Sequence, residues 1–169
     1  MESNKKGAEK MVNITILQDE DFLPAAKALV FNAMSSIYIS TFKTEIVLKR
    51  RGEKLKGFYD FLVLRRKEGV DVRLLTNKQG EQGHVPHTNA YVTNYLKKKG
   101  IQVRFLRNSQ ICHAKMLIVD NQYAIIGSHN LSLKSCHSNF EVSYLIKSAE
   151  MVSELANVFI ETWYNGKDA

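Results

Sequence analysis

Two rhythms of apolar residues alternate along this chain, and together they predict most of its elements. "VNITILQ" (12–18) is a β-branched run that predicts a first strand. Asp19 and Asp21 then precede a helical pattern over "FLPAAKALVFNAM", with Pro24 in its first turn. "SIYIST" (36–41) alternates as a strand does. Leu55, Phe58, Tyr59 and Leu62 fall on one stripe of a helix over 54–67, with Gly69 as its stop. "VDVRLLT" (70–76) predicts a strand and "NKQGEQGHVPH" (77–87) a loop. A helix from about Thr88 to Lys99 is ended by Gly100 before the strand "IQVRFL" (101–106). Two short apolar runs, "MLIV" (116–119) and "YAII" (123–126), flank a polar break, and "NFEVSYLI" (139–146) is a further strand. Val152, Leu155, Phe159 and Trp163 mark a last helix over roughly 149–164.

Strand–helix alternation over the first two thirds predicts parallel pairing with crossovers, and the later hairpin adds antiparallel strands. The expected fold class is α/β: a mixed, mainly parallel β-sheet flanked by helices on both faces. No linker and no internal repeat divides the chain, so residues 1–169 read as a single domain, with 1–12 as a flexible polar N-terminus.

The stretch "ICHAKMLIVDNQYAIIGSHN" (111–130) sets His113 and Lys115 two apart, then Ser128 and Asn130 two apart, around Asp120-Asn121-Gln122. A two-residue turn at Asn121-Gln122 would place Lys115 opposite Ser128 and His113 opposite Asn130, all four on one face. A three-residue loop would instead set Lys115 opposite Gly127 and carry Ser128 and Asn130 away from that patch. An ammonium, a hydroxyl and a carboxamide suit phosphate oxygens, and an imidazole can attack phosphorus or give a proton. Asp120 falls at the turn, where a structural role is expected; Gly127 can bulge the strand.

Charge changes the picture of the partner. Twenty-four Lys and Arg against 17 Asp and Glu give a formal net charge of +7. Much of it is clustered: Lys49, Arg50 and Arg51 with Lys54 and Lys56, then Arg65-Arg66-Lys67, and Lys97-Lys98-Lys99. Such surfaces favour polyphosphates through counterion release, although cations also gather at helix C-termini for local reasons. Lys49, Arg50, Arg51, Lys54, Arg104 and Arg107 are the candidate nucleic-acid contacts. Two cysteines, Cys112 and Cys136, make no disulfide framework, so a reducing compartment is expected. No run of about 18 apolar residues and no secretory signal is present, which predicts a cytoplasmic protein without stable membrane insertion.

The pattern His113-x-Lys115-x4-Asp120-x6-Gly127-Ser128-x-Asn130 resembles the HKD signature of the phospholipase D superfamily, and the fit is best over about residues 69–163. The resemblance implies a phospholipase D-like fold and a metal-independent, two-step phosphodiester transfer through a phosphohistidine, with no cofactor. It implies His113 as nucleophile or acid, Lys115 and Asn130 as phosphate ligands, Ser128 as an assisting group and Glu141 as the carboxylate that orients the histidine. That chemistry needs two histidines in opposite protonation states, and this chain has one complete motif. His84, His87, His129 and His137 do not begin another, so a homodimer sharing one active site is expected, as in the similar single-motif bacterial endonucleases.

A zinc site from His84, His87, Cys112, Cys136 and His137 lacks diagnostic spacing, and carboxylate clusters for a two-metal nuclease are absent. The readings left are a non-specific nuclease of DNA or RNA, a phospholipid phosphodiesterase or phosphatidyltransferase, and an inactive nucleic-acid-binding module.

Overall fold

A computed structural model of the chain describes residues 12–46, 53–78, 87–107 and 110–169. Lys49, Arg50 and Arg51, most of the expected N-terminal tail and the 79–86 part of the loop with His84 lie outside the described residues.

The apolar runs pair into one eight-stranded sheet in the order β1-β7-β6-β5-β2-β3-β4-β8. The strands are β1 (Asn13–Gln18), β2 (Ser36–Ser40), β3 (Asp71–Thr76), β4 (Gln102–Phe105), β5 (Met116–Val119), β6 (Tyr123–Gly127), β7 (Val142–Lys147) and β8 (Lys167–Asp168). Helices α1 (Phe22–Phe31), α2 (Glu53–Lys67) and α3 (Thr88–Lys98) cover one face, a short α4 (Leu133–His137) follows β6, and α5 (Ala149–Asn165) covers the other face. The predicted stripe of α2 is the buried one: Leu55, Phe58, Tyr59 and Leu62 pack onto Ile37, Ile39, Val72 and Leu74. Val152, Phe159 and Trp163 of α5 pack with Ile118, Ala124 and Ile146 on the far side. Gly69 (φ 94°) and Gly100 (φ 81°) close α2 and α3 in the left-handed conformation that the stop signals implied.

The sheet is mixed with helices on both faces, as expected, but its balance differs from the mainly parallel sheet predicted. Among the described residues, two of the seven strand pairings are parallel, β2–β3 and β3–β4; the other five are antiparallel. The reason is topological. Only α2 and α3 cross between neighbouring strands, whereas β1 pairs with β7 at the far edge instead of with the strand that follows α1. Short α4 and the two-residue β8, which closes the other edge, were too brief to show any periodicity.

The hairpin register also departs from the two-residue turn. Val119 faces Tyr123 and Met116 faces Ile126, so the loop has three residues and Lys115 lies opposite Gly127. Asp120 (φ 54°) and Asn121 (φ 52°) adopt the left-handed conformation and Gln122 N–H donates to the Val119 carbonyl at 3.0 Å. Asp and Asn are the side chains that tolerate this conformation, and Gln is not, so the turn starts one residue early. Pairing directions place the C-terminal ends of β1, β2, β3 and β6 at one end of the sheet, together with the N-terminal ends of β5 and β7. Every candidate catalytic residue sits at that end.

Candidate active site

His113 and Lys115 lie in the segment just ahead of β5, where the Lys115 carbonyl still accepts from Gly127 N–H of β6 at 3.4 Å. The His113 ring is exposed. The Lys115 ammonium stands 3.1 and 3.3 Å from its two ring nitrogens and donates to the His113 carbonyl at 2.6 Å. The Phe42 ring packs beside both, 5.4 Å from the imidazole centroid and 5.9 Å from Lys115 Nζ. Burial pushes the Lys115 ammonium below the usual lysine range, opposed by attraction to Cys112 and Glu141. A partly desolvated cation of this kind acts on a nearby anion with little screening.

With the observed register, direct opposition across the hairpin does not bring Ser128 and Asn130 to Lys115. The segment after β2 does the gathering instead. Asn130 Oδ1 accepts from the Lys43 backbone N–H at 3.1 Å and from Thr41 Oγ1 at 3.3 Å, on either side of Phe42. Since a backbone N–H can only donate, this fixes the carboxamide's orientation and leaves its NH2 group facing away from those partners. The Asn130 backbone N–H donates to Ser135 Oγ at 2.8 Å, and that hydroxyl donates to Glu141 Oε1 at 2.8 Å. Ser128 Oγ hydrogen-bonds the other oxygen of the same carboxylate and accepts from Val142 N–H at 3.1 Å. Asn139 Nδ2 donates to Glu141 at 3.0 Å. Burial alone would raise the Glu141 carboxyl, but the bonds from Ser128, Asn139 and Ser135 outweigh it and hold it below the usual carboxylate range. Among the described residues, Glu141 makes no hydrogen bond to His113 within one chain.

The remaining motif positions shape the backbone. The Asp120 carboxylate accepts from the backbone N–H groups of Met34, Ser35 and Ser36 at 2.8–2.9 Å and from Ser35 Oγ, tying the hairpin tip to the start of β2. A Cβ on Gly127 would lie 2.4 Å from Ser143 Oγ and 2.5 Å from Ser143 Cα and the Val142 carbonyl, so no side chain fits there. His129 is buried, stacked on Phe22 with ring centroids 4.5 Å apart. Its Nε2 faces the Asp19 carbonyl at 2.9 Å, which requires a proton on Nε2, and its Nδ1 faces Ser143 Oγ at 2.7 Å. Burial pushes that imidazole below its usual range. Asp19 N–H also donates to the Glu141 carbonyl at 3.0 Å, and Asp19 Oδ1 accepts from Glu141 N–H at 2.8 Å.

Two buried carboxamides that the sequence analysis passed over hold the site's backbone. Asn77 Oδ1 accepts from Cys112 N–H at 2.7 Å, and its Nδ2 donates to the carbonyls of Cys112 at 2.9 Å and Phe42 at 3.2 Å. Asn89 accepts from Thr44 N–H at 2.8 Å and donates to the Phe42 carbonyl at 2.9 Å. Signals for both were present. Asn77 directly follows a strand in an α/β pattern, and Asn89 is the carboxamide in the buried stripe Asn89, Val92, Thr93 and Leu96.

Two of the basic candidates are placed elsewhere. Arg104 bonds Asp168 at 2.8 Å and the Trp163 carbonyl at 2.9 Å, and Arg107 bonds the Gly166 carbonyl at 3.2 Å, so both serve the C-terminal edge. Lys54 is exposed at the start of α2, at the active-site end of the sheet. Cys112 is buried, and burial pushes its thiol up to about 11, so it is no nucleophile at neutral pH. Among the described residues, no group of three or more His, Cys, Asp or Glu side chains could hold a metal ion, and no helix is long and apolar enough to cross a membrane.

Comparisons with known proteins bear on the family and the fold. A family model described as "Cardiolipin synthase, PLD-like domain" matches residues 27–163. The cardiolipin synthase of Listeria monocytogenes is 31% identical over 93 residues, which are 55% of this chain but only 19% of that enzyme. This chain therefore spans about a fifth of the curated relatives that it matches. The fold is similar to that of Nuc, a phospholipase D family member from Salmonella typhimurium, with a TM-score of 0.77 and 21% identity over 94% of this chain and 99% of that one. NucT from Helicobacter pylori superposes with a TM-score of 0.75 at 14% identity, over 94% and 100% of the two chains. With most of its length matched by that family model, the chain belongs to the phospholipase D superfamily, whose members are phosphodiesterases or phosphotransferases.

Proposed function

We propose that this protein is a metal-independent endonuclease that cleaves DNA, RNA or both through a phosphohistidine, at an active site shared by two subunits of a homodimer. The observation that carries the reading is the exposed His113 imidazole beside the Lys115 ammonium, with the Asn130 NH2 group turned outward by its bonds to Lys43 and Thr41. Lys115 and Asn130 bind the non-bridging oxygens of a phosphodiester. A neutral His113 attacks phosphorus, and the P–O bond to the leaving nucleoside breaks as the charged His113 of the twin subunit protonates the departing oxygen. That second imidazole, now neutral, takes a proton from water. The water oxygen attacks phosphorus, the P–N bond breaks and His113 is restored. Ser128 and Glu141 line the same site, and Glu141 steadies whichever imidazole becomes charged.

The formal net charge of +7 supports a polyanionic substrate. The similarity to cardiolipin synthases supports a second reading, a phosphatidyl transfer or phospholipid hydrolysis at the same residues. Labelled single- and double-stranded oligonucleotides, incubated with protein in excess EDTA, decide between them. Cleavage that is lost in His113→Ala is the expected result. Turnover of phosphatidylglycerol vesicles with oligonucleotides left intact would establish the lipid reading, and binding without turnover of either would leave only a binding module.

A further inference from the structure

The active-site end of the sheet carries a second feature that the catalytic residues do not use. A cavity of about 410 Å3 opens between the first turns of α1 and α2 and the last turn of α4. Leu23 and Pro24 supply an apolar floor, and Lys27, Lys54 and His137 bring three basic groups to its walls, with Glu20 at the rim. Among the described residues, none of the three makes a strong ion pair. Lys54 is exposed, Lys27 Nζ lies 5.4 Å from the Phe61 ring, and His137 Nδ1 is a long 3.5 Å from Glu20. His137 Nε2 is buried with no hydrogen-bond partner among the described residues.

The cavity adjoins the catalytic residues through α4 and through the Asp19–Glu20 step. Ser135, two residues before His137, bonds both Asn130 and Glu141, while Asp19, next to Glu20, clasps the Glu141 backbone. The N-termini of α1 and α2, where helix dipoles favour anions, border the same space. An apolar floor ringed by cations fits one nucleotide unit: a base or sugar against Leu23 and Pro24, and a phosphate against the two ammonium groups.

We propose that this cavity is a phosphate subsite for the substrate strand, holding a phosphodiester that flanks the one cut at His113. The inference rests on the nucleic-acid reading of the active site and adds to it a path along which the strand is held. A single-phosphate lipid headgroup has no second diester to place there.

The test measures binding apart from cleavage. In a His113→Ala background, the anisotropy of a fluorescein-labelled 12-nucleotide single strand is titrated over a salt series. Lys27→Gln/Lys54→Gln is compared with Lys67→Gln/Lys98→Gln, an equal charge loss at the helix ends remote from the site. The cavity pair is expected to weaken binding at least about fivefold and to flatten the log K against log [salt] slope by about 0.7, the single-strand increment for the one phosphate it holds. The remote pair is expected to change affinity less than about twofold. Equal losses in both pairs, or none in the cavity pair, would overturn the subsite even if the unmodified protein cleaves nucleic acid. A selective loss in the cavity pair would uphold it even if no cleavage is ever seen.

Discussion

At Gly127, a single hydrogen atom is all the fold admits. The neighbouring Ser143 Oγ is held by the buried His129 ring, and Ser143 Cα and the Val142 carbonyl press equally close. Gly127→Ala is expected to cost about 3 kcal/mol in urea unfolding, at the upper end of ordinary overpacking. Adding Ser143→Ala should not restore the loss, because the backbone contacts at 2.5 Å remain. Asp120 is the other motif residue whose work is architectural. Burial would raise its carboxyl, yet bonds from Ser36, Met34 and Ser35 outweigh that and hold it below the usual carboxylate range. A lowered folded value means that its stabilisation is complete above about pH 4, the unfolded value, and fades as pH falls through the folded one. Asp120→Ala leaves the three backbone N–H groups without their acceptor and is expected to cost about 2–4 kcal/mol at pH 7. The gap from the unmodified protein should narrow as unfolding is followed below pH 4, and a gap independent of pH would refute this account.

The β5–β6 hairpin shows how a correct element can carry a wrong register. Both strands and the break between them follow from composition, but the choice between a two- and a three-residue loop depends on which residues take positive φ. Asn121→Val is expected to lower stability by about 1–2 kcal/mol in thermal unfolding, and Asn121→Gly to stay within about 0.5 kcal/mol. Legibility followed the same division elsewhere. Stripes such as Leu55, Phe58, Tyr59 and Leu62 announced their helices because burial is periodic, and Gly69 and Gly100 announced their ends. The strand order was hidden, because nothing local in "VNITILQ" says that it pairs with β7 rather than β2. The motif residues stood out in the sequence. Their means of convergence did not, since it runs through Lys43, Thr41 and Ser135, residues remote in sequence or chemically ordinary.

On the scale of the whole molecule, one exposed His113 per chain makes the proposed reaction a property of pairs. The proposed chemistry needs one of the two groups neutral and the other charged at the same phosphate. Co-refolding one part of unmodified protein with nine parts of His113→Ala should cut activity per active chain about tenfold, because nearly every active subunit meets an inert twin. Activity that merely dilutes would show that each chain works alone. One further consequence lies in Asn77, which grips Cys112 on the approach to His113 and the carbonyl of Phe42 beside it. The reactive ring thus hangs from a clasp that is neutral and two-faced, donor on one side and acceptor on the other. Hydrolysis of that one carboxamide to a carboxylate, the ordinary chemical ageing of asparagine, would set negative oxygen against two carbonyl groups. The protein could then lose its reactive geometry while every group that performs the chemistry stayed intact.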